Sequence, residues 1–351
     1  MNPVKVLFSA WLVTLAAPVA LAHHGMGGEF NAKEIIEVSG VISAVKWANP
    51  HVRLEMTVDG GKSNQKTWLI ESNSVASLSR LGVTREVVQI GMAVKLAGNP
   101  SLNGDPHLFM THMLLPDGRE VGFQDNGKPR WNAPVQVANG DFVHGKVLEQ
   151  DFSKRPTSIF SVWTTFYGNP GSHNTQPAET ALYPVTERGR KEAAAIDMAK
   201  NHPLNDCKPK GMPVAMFAPY PVQILEDGAN IKIRMEEYDA ERLIRMTSKH
   251  DDSAAAPSRL GYSTGVWQGD KLVVTTTKIN YGYLGIQTRP VPVVQGPRIS
   301  TVETFQLSAD HNQLNYTVVI TDPDYLTKPL TVSKFWQYTP GAKVNPYNCT
   351  K

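Results

Sequence analysis

Charge is scarce in this 351-residue chain: charged residues make up 19% and the formal net charge is only +3. That balance is too slight for the electrostatic footprint of a nucleic-acid binder. There are just two cysteines. The chain has no Cys-x-x-Cys or His-Glu-x-x-His pattern and no glycine loop that would cradle a nucleotide, and no serine-hydrolase elbow is expected. Beyond residue 22 no apolar run is long enough to span a bilayer, which takes roughly 20 residues. Internal repeats and low-complexity blocks are also lacking. What is plentiful is the turn-former pair: 25 Pro and 27 Gly, spread without a period. With 41% apolar residues, this predicts a chain that buries a core and turns often. It argues for a mainly β protein, against a helical bundle and against collagen.

The first segment reads as an address. Lys5 precedes the apolar stretch Val6 to Leu15, and Pro18 is followed by Ala20-Leu21-Ala22. A charge, a short apolar core and an A-x-A end match a secretory signal peptide spanning 1–22. Export to an oxidising compartment makes Cys207 and Cys349 a plausible disulfide, with two free thiols as the alternative.

Two domains are expected after it. Residues 23–122 read as a small OB-like barrel of five strands and one helix: a first strand over Ile36-Val38 and Val41 to Val45, then His51 to Val58 and Thr67 to Glu71, a helix from Ser74 to Leu81, then strands Met92 to Ala97 and His107 to Leu115. Residues 123–141, rich in Asn, Gly and Pro, read as a linker. Residues 142–351 hold a possible strand from Ser158, a helix capped by Thr186, and eight or so strands between short turns. These would close into a larger antiparallel, lipocalin-like barrel or half-barrel.

Strand alternation suggests which polar groups face the interior, since residues two apart share a face. Reading Ile231 to Tyr238 as one strand places Glu237 with Ile231, Ile233 and Met235. After a turn, Arg242 falls with Ile244 and Met246, so the pair is expected to face each other across a hairpin. Glu303 groups with Phe305 and Leu307, and Asp322 with Tyr316, Val318 and Ile320. Charges on apolar faces must pair or line a wet cavity. Glu237, Arg242, Glu303 and Tyr262 are therefore the candidate catalytic set, with Asp322, Tyr220 and Thr277 as candidate ligand contacts. A structural ion pair between Glu237 and Arg242, and a strand-end cap at Asp322, are the plain alternatives.

Histidines offer a different chemistry. Cleavage after Ala22 exposes His23, followed by His24, and a terminal amine with its own imidazole chelates copper. His51 is the leading third ligand, with His107 or His112 behind it. No other cofactor is expected.

The chain resembles a family of exported bacterial proteins of unknown function. The resemblance rests on Ala22-His23-His24 and on Trp47-Ala48-Asn49-Pro50-His51 in the OB-like part. The second half is similar to a recurrent exported β-rich module. Its marks are Cys207, Gly211-Met212-Pro213, Pro219-Tyr220-Pro221, Glu237-Tyr238-Asp239 with Arg242, the run from Gly261 to Val274, Glu303 and Asp322-Pro323. The resemblance implies two domains and a bacterial periplasmic setting, and it carries no reaction.

The resulting expectation is a periplasmic protein that binds a hydrophobic, hydroxylated small molecule in a barrel. Inward carboxylates raise the possibility of a cofactor-free lyase, isomerase or dehydratase, with Glu303 or Glu237 moving the proton, Arg242 holding an oxyanion and Tyr262 donating a hydrogen bond. A non-enzymatic carrier or partner-binding protein and a copper-binding protein are the alternatives.

Overall fold

The computed structural model describes residues 29–59, 65–123, 129–131, 142–143, 146–147, 153, 155–165, 180–196, 207–285 and 291–349. The proposed signal segment, His23, His24 and most of the proposed linker lie outside them.

The first barrel follows the expected order. Its strands are β1 (Ile36–Lys46), β2 (Arg53–Asp59), β3 (Gln65–Glu71), β4 (Ala93–Pro100), β5 (His107–Leu114) and β6 (Glu120–Gly122). β1 pairs with both β2 and β4, and β3 meets β5 in parallel. This closes the ring β1-β2-β3-β5-β4, which is OB topology. β6, not foreseen from sequence, adds to the free edge of β5. The helix Val75–Arg80 sits between β3 and β4, and Ser74 caps it by accepting from the Ser77 amide. Alternation along β2 buries Leu54 and Met56, which join Ile42, Ile70, Leu96 and Met110 in the core.

After the short pair β7 (Phe142–Val143) and β8 (Lys146–Val147), a second and larger barrel forms. Nine strands close it: β9 (Val162–Thr164), β10 (Val222–Asp227), β11 (Asn230–Met235), β12 (Ala240–Met246), β13 (Tyr262–Gln268), β14 (Lys271–Thr277), β17 (Ser300–Leu307), β18 (Gln313–Thr321) and β19 (Leu330–Tyr338). β15 (Tyr283–Gly285) and β16 (Val293–Val294) pair separately. Antiparallel hairpins dominate, as short turns require, and Gly228 and Gly269 supply the positive φ that two of those turns need. The ladder between β12 and β13 is parallel, with Ile244 opposite Ser263. Inside, Val222, Ile224, Ile233, Leu272, Phe305, Val318 and Trp336 build one core. The turn Val214–Phe217 packs Met216 and Phe217 into that same core.

The two barrels are tied at one joint. Cys207 and Cys349 form a disulfide. The tail leading to it is held by Glu236, which accepts from the Asn345 amide at 3.0 Å, and by Asp239, which accepts from the Tyr347 amide at 2.9 Å. Tyr347 is buried against Tyr220 and Tyr238, with Ala76 of the first barrel's helix packed on the same cluster. From the first barrel, the Asn49 side-chain amide donates to the Tyr347 carbonyl.

The disulfide closes a loop across 142 positions of sequence, long enough to restrict the unfolded chain strongly. Replacing both cysteines with serine is expected to lower stability by about 2–5 kcal/mol, read as a fall in the urea unfolding midpoint. An unchanged midpoint would mean that the Tyr347 packing and the hydrogen bonds with Asn49, Glu236 and Asp239 hold the tail without the disulfide.

Candidate functional site

Five neighbouring strands of the larger barrel each contribute one polar side chain to a continuous inner belt. β12 gives Arg242, β13 Ser263, β14 Thr276, β17 Glu303 and β18 Tyr316, all at most 2% exposed. The placement follows from alternation: Arg242 with Ile244, Thr276 with Val274 and Leu272, Glu303 with Phe305, Tyr316 with Val318. Arg242 binds Glu303 in bidentate fashion, Nη1 to Oε1 at 2.9 Å and Nη2 to Oε2. The same guanidinium donates to Ser263 Oγ at 3.1 Å and to Thr276 Oγ1 at 2.7 Å.

Proton positions in the belt follow from donor inventory. An ionised carboxylate only accepts, so the Tyr316 hydroxyl donates to Oε1 at 2.9 Å and Thr276 donates to Oε2 at 3.2 Å. Ser263 must then donate to Thr276, 3.0 Å away. Each Glu303 oxygen thus receives two donors. Burial works against the Arg242 charge, and the Glu303 carboxylate more than offsets it, so the guanidinium pKa is raised. Burial, aided by the Glu303 charge, holds the Tyr316 phenol well above its ordinary range, so it stays a donor.

Other residues expected at this site lie elsewhere. Glu237 does not meet Arg242; it pairs with Lys210 at 2.7 Å. The reason is local: β11 ends at Met235, and Glu237–Asp239 form a tight turn with Tyr238 and Asp239 at positive φ, so alternation stops before Glu237. Tyr262 precedes the inward Ser263 and therefore faces outward. There Arg245 lies 4.4 Å from its ring centroid and the His250 ring 5.5 Å away. Thr277 shares that outer face, donating to Asp252 at 2.6 Å and lying 2.8 Å from His250 Nε2. Tyr220 belongs to the joint, its hydroxyl 3.4 Å from that of Tyr347. Asp322 is buried but acts as a turn cap, accepting from the amides of Gly296, Asp324 and Tyr325. Gly261 to Gly265 does carry the G-x-S-x-G spacing. Ser263 sits inside a strand, however, rather than at a strand-to-helix turn, so it is no nucleophile elbow.

One inward charge escaped the sequence reading. Lys334 on β19 is 5% exposed and shares the buried face with Val332 and Trp336. Its Nζ donates to the Met216 carbonyl at 3.2 Å and lies 4.3 Å from the Trp336 ring centroid. Burial brings its pKa down to about 7. The alternation test exposes it as readily as it exposes Glu303, once applied to β19.

A second polar cluster flanks the joint, in the first barrel. Glu71 accepts from Arg53 at 2.9 Å; its other neighbours are His51 and His107, each with a ring nitrogen 3.8 Å from a carboxylate oxygen. His107 also contacts Glu29 at 3.0 Å. Burial lowers the His51 pKa, with Glu71 working against the shift, and favours a neutral ring. His112 faces Glu120 instead, at 3.9 Å. Among the described residues no group of three or more His, Cys, Asp or Glu has metal-holding geometry.

Residues 11–109 match a family of unknown function (DUF6152). The match spans β1 to β4 and the start of β5, with Trp47 to His51 inside it, and it stops short of the larger barrel. No curated protein matches the chain.

Because the belt is closed, its two charges should be strongly coupled. Arg242→Met strands a buried carboxylate and is expected to cost about 3–5 kcal/mol. Adding Glu303→Gln, which removes the charge but still accepts from Tyr316, should recover a large part of that loss. Additive losses in urea unfolding of the single and double variants would show that the pair is not coupled.

Proposed function

We propose that this protein binds a hydrophobic, hydroxylated small molecule inside the nine-strand barrel, in the bacterial periplasm. The observation that carries the reading is a set of polar atoms on the inner face that lack partners. Thr301 Oγ1 on β17 and Trp336 Nε1 on β19 are buried and have no hydrogen-bond partner among the described residues. Buried polar atoms are nearly always satisfied, and polar groups of a guest would satisfy these at two depths of the barrel, since Thr301 stands opposite Ile320 and Trp336 opposite Leu314. Barrels of eight strands either fill with their own side chains or hold one small ligand, and this one has nine strands. The disulfide and the leader-like first 22 residues support export.

The reading stops at binding. Glu303 has all four acceptor positions filled, so no lone pair is left to take a substrate proton. A carrier role fits that closed belt better than acid–base turnover does.

The test is calorimetric titration of the exported chain with 1-decanol and 1-naphthol, alongside mass spectrometry of whatever co-purifies with it. Saturable binding at one site, or a stoichiometric hydrophobic companion, is expected. No binding of either probe together with no companion would overturn the reading.

A second reading, copper held by His23 with His51, draws on the neutral His51 ring and on His107 facing the same Glu71 carboxylate. It expects copper(II) uptake by a chain beginning at His23, and loss of that uptake when one residue precedes His23 or when His51 is replaced by Ala. Undiminished uptake in both variants would refute it.

A further inference from the structure

We infer that the guest of the larger barrel is a hydrophobic carboxylic acid, with its carboxylate seated against Lys334 Nζ and Trp336 Nε1. This rests on the ligand-binding reading and narrows its ligand to an acid.

Both donors stand on the inner face of β19, two residues apart. Trp336 is fully buried, and its indole N–H has no partner among the described residues. The Lys334 ammonium has three N–H groups and spends one, on the Met216 carbonyl. The ring faces of Trp336 and Phe217 lie 4.3 and 5.9 Å from Nζ. A carbonyl and two ring faces stabilise a cation but leave its charge uncancelled. No carboxylate of the described residues lies in ion-pair range of Nζ, and Glu303, which faces the same barrel interior, is already bound to Arg242. The unmet requirement is therefore for two acceptors and one negative charge.

A carboxylate supplies all three, one oxygen to each donor. An alcohol or ester would satisfy donors and leave the charge standing, which is what selects the acid. The surroundings set the rest of the molecule: Phe217, Phe305 and Tyr316 rings pack around the pair, so the body attached to the carboxylate is apolar. Met216 and Phe217 belong to one short turn, whose carbonyl takes one ammonium N–H and leaves the other two for the acid.

Protonation of Lys334 gives the site a pH signature. With burial holding its pKa down to about 7, the free site is cationic below neutrality and neutral above it. The titratable group facing it is Tyr316, which stays protonated, and beyond Tyr316 lies the paired Glu303. The turn Val214–Phe217 carries no titratable side chain. Acid binding should weaken as pH rises, since the ligand stays ionised while the lysine loses its proton.

The experiment titrates the full exported chain with decanoate, methyl decanoate and 1-decanol by calorimetry. The wild type should bind decanoate about tenfold or more tighter than the ester, the scale of a charge-assisted contact. Lys334→Met, which keeps an unbranched apolar side chain, should remove that preference, and Trp336→Phe should reduce it. Raising the pH from about 6 to about 9 should bring wild-type decanoate affinity down toward that of the ester, which tests the idea even if a variant misfolds. Equal binding of acid and ester, or a preference that survives Lys334→Met, would overturn the assignment and leave the ligand-binding reading intact. Binding of none of the three would overturn the assignment, and with no co-purifying companion the ligand-binding reading as well.

Discussion

A guanidinium and a carboxylate buried in an apolar barrel must answer each other, and the closure of Arg242 on Glu303 constrains everything around it. Stripping either ion of water costs several kcal/mol, recovered only if geometry is good and every remaining lone pair and proton finds a partner. Ser263, Thr276 and Tyr316 complete that accounting from three further strands. A one-residue slip of β17 would turn Glu303 to solvent and bring Val302, now 44% exposed, into its place. Arg242 would then be buried alone. The belt thus specifies the register of five strands at once. Its contribution is to arrangement more than to stability, because a hydrophobic replacement of the whole set carries no such desolvation cost.

Saturation also separates this belt from the groups above it on β19. Every polar atom of the belt has a partner within it, whereas Trp336 Nε1 has none among the described residues and Lys334 spends one of its three N–H groups. Polar groups in one interior therefore fall into two kinds. Those that close on each other hold the wall, and those that remain open are the ones on which the proposed guest site rests.

The joint between the barrels gives the Trp-x-Asn-Pro-His segment a physical role. Asn49 reaches the tail at Tyr347, while His51 turns toward Glu71. Lys210, paired with Glu237 beside the disulfide, lies near enough to His51 to oppose its protonation. The part of the chain that matches a family of unknown function therefore presents its motif to the larger barrel. Glu236 and Asp239, in the turn after β11, complete the anchorage by holding the tail's backbone.

Much of this was legible in the sequence. The order of strands and helix in the first barrel, the caps at Ser74 and Thr186, the hairpin turns after Glu226 and Gln268 and the inward direction of Arg242, Glu303 and Tyr316 are all local properties. Alternation and capping depend on a residue and its near neighbours, so the sequence states them. The partners were not legible. Glu237 is near Arg242 in sequence yet pairs with Lys210, because a tight turn replaces the last residues of the expected strand. Glu303 had no basic neighbour in sequence, and its cation arrives from 61 positions away. Tyr262 and Thr277 went to the outer face, and Ser263 and Thr276 took the inner one. Alternation says which way a side chain points; only closure of the sheet into a ring, with β12 laid parallel to β13, decides which charge it finds there.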